Sequence, residues 1–351
     1  MDKTIQIRTG EDINIEKLTH YIHNHLPDVG NIISVSQFPG GFSNLTYLIQ
    51  TDKTEIVLRR PPLGANIKSG HDMEREFKVL SLLEKSGFLK IPRPLSISTE
   101  NEVINTPFYI MERLNGTILR AKDVHNTQLT PTLMTDLSTK LIENLAELHA
   151  LDIEKTGLNV LGKAEGYVQR QIEGWIKRYE NSETDNTENM TIIAQYLRDY
   201  QTQLQPQTPT FLHNDYKFDN VVWDNNLTHI IGVLDWEMAT IGDPLMDLGA
   251  TLAYWCEEKD SDLMKMFNLT ALKGCLTRQE AAQLYAHLTG RNLKDILFYY
   301  TFGLYKNAVI IQQIYARWKK GITQDNRFSN LNKIVSELAK TAVIAIKTKN
   351  L

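Results

Sequence analysis

The sequence predicts a two-lobed α+β protein, in which a five-stranded antiparallel sheet plus helix is followed by a mostly helical lobe that carries a hairpin. Two observations support this order. Short, alternating apolar runs rich in β-branched residues precede Asn115-Gly116, and longer segments with apolar residues at helical spacing follow. With 351 residues, of which 42% are hydrophobic, the chain can form a core in each lobe.

Alternation and turn residues define the elements of the N-terminal lobe. Strands are predicted at 32–38, 45–50, 56–60, 95–98 and 108–114, and helices at 13–26 and 73–85. Gly40-Gly41 marks a tight connection between the first two strands, and Gly87 ends the second helix. We expect this lobe to cover residues 1–113, with a hinge near 111–117, and the second lobe to cover residues 114–351.

The second lobe has the pattern of a helical domain. Thr130-Pro131 is typical of a helix start, and leucines then recur at helical spacing. The predicted helices are 130–151, 167–179, 245–256, 278–288, 294–319 and 331–348. The polar stretch 181–188 is expected to be an exposed loop. Two short apolar runs, 221–223 and 230–234, predict a hairpin between these helices.

Composition and charge argue against several classes of protein. The net charge is −4 with both signs spread along the chain, which argues against nucleic acid as the main partner. Two cysteines without C-x-x-C spacing favour a reducing compartment over a disulfide framework or a thiolate zinc site. The N-terminus has no apolar leader, and Lys306 interrupts the most apolar window, so no membrane segment is expected. We therefore predict a cytoplasmic protein, whose oligomeric state the sequence does not indicate.

The residues around the predicted hairpin form the candidate catalytic set. His213, Asp215 and Asn220 precede it with the spacing H-x-D-x-x-x-x-N, and Asp235 ends its second strand. Phosphoryl transfer from ATP needs a carboxylate that orients and deprotonates the attacking hydroxyl, and oxygen ligands that hold Mg²⁺ on the phosphates. We therefore expect Asp215 to be the base and Asn220 and Asp235 to be Mg²⁺ ligands. Lys217 can offer a cation to the transferring group.

A candidate nucleotide-binding set lies upstream, in the predicted sheet. The glycine-rich stretch between the first two strands can lay backbone N–H groups over phosphates. A basic residue ends the third strand, where kinase-type folds place a phosphate-binding base, and an acid that could pair with it lies on the next helix. The last strand and its connector can hold an adenine ring. The candidates are Gly40, Gly41, Ser43, Asn44, Arg59, Glu76, Met111, Glu112 and Arg113.

In this order, the motifs resemble the aminoglycoside phosphotransferase-like kinases, a family with a protein-kinase-like fold. The resemblance rests on GGFSNLTYLI, VLRRPP, REFKVL, FYIMERLNG, LAELHALD, and FLHNDYKFDNVVWD followed by GVLDWEMATIGDPLMDLG. The segment GYVQRQIEGWIKRY is similar to the branch associated with acyl-CoA dehydrogenases. The resemblance implies an ATP- and Mg²⁺-dependent phosphotransferase that acts on a hydroxyl of a small molecule. It also implies that His213, Asp243 and Asp247 support the catalytic loop and the following helix.

The acceptor is left open by the sequence. Arg170 and Trp175 share one face of the predicted helix 167–179, where Arg170 could meet an anion on the acceptor. Glu237, two residues after Asp235, is a third candidate for contact with the acceptor. Hydroxyacyl compounds, amino alcohols, sugars and aminoglycosides all remain candidate acceptors.

Two functions of other classes also remain open. Arg59 stands where many relatives have lysine, and arginine grips phosphate in a different geometry. A nucleotide-binding pseudokinase or scaffold without turnover is therefore an alternative. A metal hydrolase that uses His213, Asp215 and Asp235 is another, since a histidine with carboxylates can bind Mn²⁺ or Zn²⁺.

Overall fold

The described part of the chain divides into two compact units. A computed structural model describes residues 4–39, 44–62, 72–121, 129–185, 188–266, 268–323 and 325–351. The first unit is drawn from Met1–Ile118, Lys155–Leu158 and Val221–Ala239, and the second from Leu119–Glu154, Asn159–Asn220 and Thr240–Leu351. Each unit combines segments that are distant in sequence, so the division into units differs from the division into predicted lobes. The lobe boundary between residues 113 and 114 stays a prediction.

The first unit contains a five-stranded antiparallel sheet, as the sequence predicts. Its strands are β1 (Ile32–Gln37), β2 (Leu45–Thr51), β3 (Glu55–Arg60), β4 (Pro94–Ser98) and β5 (Phe108–Glu112). They lie in the order β1-β2-β3-β5-β4. Ile56 and Leu58 of β3 point into the main core of this unit. Because side chains alternate along a strand, Arg59 lies on the other face of the sheet.

Two helices pack against this sheet, and each has a polar cap at its start. Helix α1 (Ile15–His25) begins at Asn14, whose side chain accepts the N–H of the third helical residue. Helix α2 (Met73–Ser86) begins at Asp72, which caps it in the same way. It ends at Gly87, which has φ 84°, the left-handed conformation that glycine adopts without strain. The predicted stop at Gly87 is confirmed.

The hairpin of the first unit consists of β7 (Val221–Trp223) and β8 (Ile230–Val233), and it follows β6 (Thr210–Leu212) in the chain. Asp224 organises its turn, because the Asp224 carboxylate accepts the N–H groups of Thr228 at 2.6 Å and His229 at 2.8 Å. After β8, the indole N–H of Trp236 donates to the Val233 carbonyl at 2.9 Å. This bond fixes the chain directly beyond Asp235.

The second unit is mostly helical. Its helices are α3 (Pro131–His149), α4 (Tyr167–Ser182), α5 (Glu188–Tyr200), α6 (Pro244–Tyr254), α7 (Asp262–Lys265), α8 (Arg278–Thr289), α9 (Ile296–Lys319) and α10 (Leu331–Thr348). Strand β6 pairs antiparallel with β9 (Thr240–Gly242). Glycines allow α6 and α9 to cross closely, since a Cβ on Gly249 would lie 2.3 Å from the Tyr299 carbonyl oxygen. A Cβ on Gly303 would lie 2.4 Å from the Gly249 oxygen.

Sequence reasoning missed two features of this unit. The stretch 181–188 was expected to be a loop, and its described residues 183–185 lie between α4, which ends at Ser182, and α5, which begins at Glu188; helix α5 itself was not predicted. Residues 186–187 lie outside the described part of the chain. The second error is the omission of the β6–β9 pair, whose strands have three residues each. Strands this short give too few alternations for a pattern to appear. Among the described helices, none combines the length and apolar character needed to cross a bilayer.

Candidate active site

Asp215 lies in the loop after β6, and three side chains fix its carboxylate. The Lys217 ammonium lies 2.9 Å from Oδ2 and 3.2 Å from Oδ1. The Asn220 amide N–H₂ donates to Oδ2 at 2.9 Å and to the Asp215 carbonyl at 2.8 Å. From the end of α6, the Tyr254 hydroxyl donates to Oδ1 at 2.7 Å. Because the Asn220 nitrogen is used in this way, its side-chain oxygen is the atom that could face a metal ion.

These contacts keep the Asp215 side chain charged. Burial would raise the pKa of the Asp215 carboxyl, but the charges of Lys217 and Lys306, with hydrogen bonds from Lys217 and Tyr254, hold this pKa below its usual range. Burial also opposes the charge on Lys217, yet Tyr254 and Asp215 raise the pKa of that ammonium. Asp215 is therefore an ionised carboxylate at neutral pH, able to accept a proton or hydrogen bond from an alcohol.

A buried aspartate of α6 holds the backbone of the same loop. Asp247 accepts the N–H of His213 at 2.6 Å and of Asn214 at 2.8 Å, and His149 contacts it at 3.2 Å. Asn214 has φ 65°, a left-handed conformation that needs such support. The His213 ring accepts the Asp215 N–H at 3.1 Å, and Asp243 caps α6. The supporting roles predicted for His213, Asp243 and Asp247 fit these contacts.

Two residues beside Asp215 were missed by sequence reasoning, Tyr254 and Lys306. Lys306 lies on α9, is 2% exposed and donates to the Asn214 carbonyl. Burial lowers the pKa of Lys306, and the nearby Asp215 opposes that effect. In the sequence, Lys306 is only a charge within an apolar stretch, and Tyr254 ends a helix. Neither has a motif, because each meets the loop through tertiary packing.

In the first unit, Arg59 joins three carboxylates. Its Nη2 lies 2.7 Å from Asp235 Oδ1 and 3.6 Å from Glu237 Oε2, and its Nε lies 3.2 Å from Glu76 Oε2. The predicted pairing of Arg59 with Glu76 is therefore present. Glu76 is 2% exposed, and burial raises its pKa to about 7, although Arg59 opposes that rise. Asp235 has φ 67°, so the backbone is strained at this position too.

The donor set of this cluster suits a hard divalent cation. One oxygen from each of Glu76, Asp235 and Glu237 lies within 4.8 Å of the others. Three carboxylates beside a single guanidinium leave an excess of negative charge, and Mg²⁺ prefers oxygen ligands. Over the residues that the structure describes, no other group of three or more histidine, cysteine or acidic side chains has its ligand atoms this close together. His213 and Asp215 belong to the second unit and Asp235 to the first, so the metal hydrolase stays an alternative prediction.

The remaining nucleotide-binding candidates have different surroundings. Gly40, Gly41 and Ser43 lie outside the described residues. Asn44 is buried, and its amide donates to Glu237 Oε2 at 3.1 Å. The other three candidates come at the end of β5. Met111 is buried, the N–H of Glu112 donates to the Arg93 carbonyl at 2.8 Å, and Arg113 pairs with Glu55 at 2.6 Å. Their roles with nucleotide stay predictions.

Arg170 and Trp175 both lie on α4, in different environments. The exposed Arg170 guanidinium donates to the backbone carbonyls of Lys163 and Glu165. Trp175 is 6% exposed, and its ring is covered by the guanidinium of Arg178 at 4.7 Å. Nothing in these contacts assigns either residue to an acceptor. Asn220 belongs to the second unit and Asp235 to the first, so their joint use of a metal ion also stays a prediction.

Comparison with known proteins identifies the family. The model of the phosphotransferase enzyme family, APH, matches residues 34–284, which span most of the chain. The chain belongs to the phosphotransferase enzyme family. The matched range contains most of β1, all of β2 to β9, and Asp215, Asn220 and Asp235. The recognition made from the motifs, and the two-lobed α+β fold with an antiparallel sheet, are confirmed.

Similar proteins carry two kinds of name. "Acyl-CoA dehydrogenase family member 11" of Rattus norvegicus is 30% identical over 348 residues, 97% of this chain and 44% of the rat protein. The chain thus spans less than half the length of that relative. A crystal structure of a candidate aminoglycoside phosphotransferase from Ralstonia eutropha JMP134 has a TM-score of 0.80 and 26% identity, covering 96% of this chain and 99% of the other.

A nucleotide complex has the same fold. The structure of aminoglycoside phosphotransferase APH(2'')-IIIa with GDP and kanamycin has a TM-score of 0.63 at 20% identity, over 92% of this chain and 98% of that chain. At this identity the likeness shows the fold alone.

Proposed function

We propose that the protein is an ATP- and Mg²⁺-dependent phosphotransferase that moves the γ-phosphoryl group to a hydroxyl of a small molecule. The observation that carries the proposal is the state of Asp215, an ionised carboxylate held by Lys217, Asn220 and Tyr254 within the family's catalytic motif. A base for an alcohol must be charged, fixed and able to accept a hydrogen bond. Asp215 meets these requirements.

The second unit supplies the proton acceptor in this proposal. Asp215 takes the proton of the acceptor hydroxyl as its oxygen attacks the γ-phosphorus, and the bond from that phosphorus to the bridging oxygen breaks. Lys217 remains paired with Asp215 and keeps the carboxylate from rotating away. Asp247 holds the backbone of the loop, so that the carboxylate needs little reorganisation during the reaction.

The first unit supplies the groups suited to nucleotide and metal. Arg59, on its sheet, lies among three carboxylates, and a guanidinium can grip a phosphate in a fork. The carboxylate oxygens of Asp235 are of the kind that Mg²⁺ prefers as ligands, and bound Mg²⁺ would neutralise charge on the phosphates. Nucleotide binding would therefore require Asp235 to exchange the Arg59 contact for the ion.

A metabolite screen tests the proposal. Release of ADP is measured with Mg·ATP and a library of alcohols, and Asp215→Asn provides the matched control. We expect at least one alcohol to raise ADP release over the rate with water. This increase should fall at least about a hundredfold in the variant and should vanish with EDTA. The scaffold alternative predicts another result, namely thermal stabilisation by Mg·ATP with no phosphoryl loss to any alcohol.

A further inference from the structure

Lys306 is a buried cation that lies outside the sequence motif of the catalytic loop. It is in the middle of α9 and is 2% exposed, with buried residues on either side of it in the sequence. Its ammonium donates to the carbonyl of Asn214, the residue before Asp215. The charge of Lys306 also attracts the carboxylates of Asp215 and Asp247. All of these residues belong to the second unit.

Three helices hold Asn214, each at a different atom. Asp247 of α6 accepts its N–H at 2.8 Å, and Tyr167 of α4 donates to its side-chain oxygen at 3.1 Å. Lys306 of α9 donates to its carbonyl oxygen. Asn214 has φ 65°, a left-handed conformation that persists only where the surroundings enforce it. Contacts from three helices are surroundings of this kind.

The peptide group that joins Asn214 to Asp215 is held at both of its polar atoms. Lys306 donates to the carbonyl oxygen of this group, and its N–H donates to the His213 ring at 3.1 Å. Because a trans peptide group is planar and its N–H and C=O point in opposite directions, these two bonds fix its rotation. The group ends at the α-carbon of Asp215, so its rotation affects the direction in which the Asp215 carboxylate points.

A buried lysine can be a plain structural link between a helix and a loop. Two observations argue for a role at the base. First, burial of an ammonium is costly, and α9 uses a neutral donor elsewhere, since the Gln312 amide donates to the Ser182 carbonyl at 2.7 Å. Second, the contact of Lys306 is with the peptide group directly before Asp215, and its charge attracts the carboxylate of the same residue.

We propose that Lys306 is a positioning residue for phosphoryl transfer, whose ammonium fixes the peptide group before Asp215 and so directs that carboxylate toward the acceptor hydroxyl. This proposal rests on the phosphotransferase function proposed above, with Asp215 as its base. The proton of the hydroxyl still passes to Asp215, and Lys306 neither gives nor takes one. Loss of Lys306 should therefore lower kcat through Asp215 and leave nucleotide binding unchanged.

Two methionine variants of α9 provide the first arm of the test. Lys306→Met removes the ammonium and keeps a side chain of similar shape, and Gln312→Met removes another buried donor to a backbone carbonyl from the same helix. With Mg·ATP and an alcohol that raises ADP release, kcat should fall about 10- to 100-fold in Lys306→Met, as expected for a misplaced catalytic group, and less than about threefold in Gln312→Met. The dissociation constant of Mg·ATP should stay within about threefold of wild type in both.

Hydrogen exchange tests the contact itself and needs no turnover. The backbone N–H of Asp215 should exchange at least about tenfold faster in Lys306→Met than in wild type, because the peptide group has lost one of its two bonds. Gln312→Met should leave this rate unchanged. Mass spectrometry of peptides that contain residues 213–216 measures it in all three proteins, and an unchanged rate in Lys306→Met overturns the proposal.

A double variant separates positioning of the base from a general effect on the unit. In the Asp215→Asn background, Lys306→Met should change kcat less than about threefold, because the base that Lys306 positions is gone. A general effect lowers kcat by the same factor in both backgrounds. Lys306→Gln serves if the methionine variant does not fold, since its shorter, uncharged side chain should also lower kcat at least about tenfold.

Each outcome decides the question. Wild-type kcat in a folded Lys306 variant, equal losses in the Lys306 and Gln312 variants, or the same loss in both backgrounds overturns the positioning role and leaves the phosphotransferase function standing. Absence of turnover by the wild-type protein with every alcohol refutes the proposed function. The exchange rates then decide by themselves whether Lys306 holds the loop of Asp215.

Discussion

Replacing Asp215 by asparagine removes the proposed base with little change in shape. The asparagine keeps one carbonyl oxygen, which can still accept from Lys217 and Asn220, and its amide can face the Tyr254 hydroxyl, which can accept as well as donate. What is lost is the negative charge and the proton-accepting capacity. General-base catalysis contributes about 10²–10⁴-fold, so the barrier should rise by about 2.7–5.5 kcal/mol.

Separate readings of kcat and nucleotide binding make this experiment specific. We expect kcat to fall within the stated range in Asp215→Asn, with the dissociation constant of Mg·ATP within about threefold of wild type, since Arg59 and its carboxylates belong to the other unit. Steady-state ADP release and calorimetric titration of nucleotide measure the two quantities. A variant with near-normal kcat would remove Asp215 from its role. Loss of both turnover and nucleotide binding would instead indicate a folding defect, which circular dichroism would reveal.

Three further substitutions test other parts of the account. Arg59→Met should destabilise the fold by about 3–5 kcal/mol, because it leaves buried Glu76 without its cation. This loss of stability should be smaller below about pH 7, where Glu76 takes up a proton. Calorimetric melting of both proteins at pH 6 and pH 8 measures the loss. An equal loss at the two pH values would show that an unpaired charge on Glu76 is not its cause. Tyr254→Phe removes a hydrogen-bond donor that holds the pKa of Asp215 low, so the acidic limb of the pH profile of kcat/KM should move to higher pH. An unchanged limb would show that the Tyr254 hydroxyl does not affect the pKa of Asp215. Gly249→Ala places a methyl group against a backbone carbonyl of α9 and should cost about 1–3 kcal/mol or more in urea unfolding, whereas a wild-type midpoint would mean that the two helices can separate freely.

Local spacing was enough to predict the contacts within the loop of Asp215 and most of the elements around it. Asp215, Lys217 and Asn220 lie within six residues of one another, so their meeting depends on one loop alone. The N-terminal strands show alternation, and caps such as Asp72 and Gly87 mark helix ends. Interactions of this kind are short in range, and a single sequence records them well.

Long-range contacts had no comparable signal. Tyr254 and Lys306 reach the loop of Asp215 from two different helices, and each looks like an ordinary residue of its helix. Helix α5 was not predicted because it follows a polar stretch and its own first turn carries few apolar residues. Tertiary packing determines which side chains these residues contact, and a sequence pattern reflects that packing only indirectly.

Transfer of the γ-phosphoryl group from ATP to an alcohol is tested most directly by a radioactive label on that group. ATP labelled with ³²P at the γ-position is incubated with Mg²⁺, the protein and an alcohol that raises ADP release, and the products are separated. We predict label in the alcohol in a one-to-one ratio with ADP, and labelling at least about a hundredfold slower with Asp215→Asn. Label found only in inorganic phosphate, or left entirely in ATP, would contradict it.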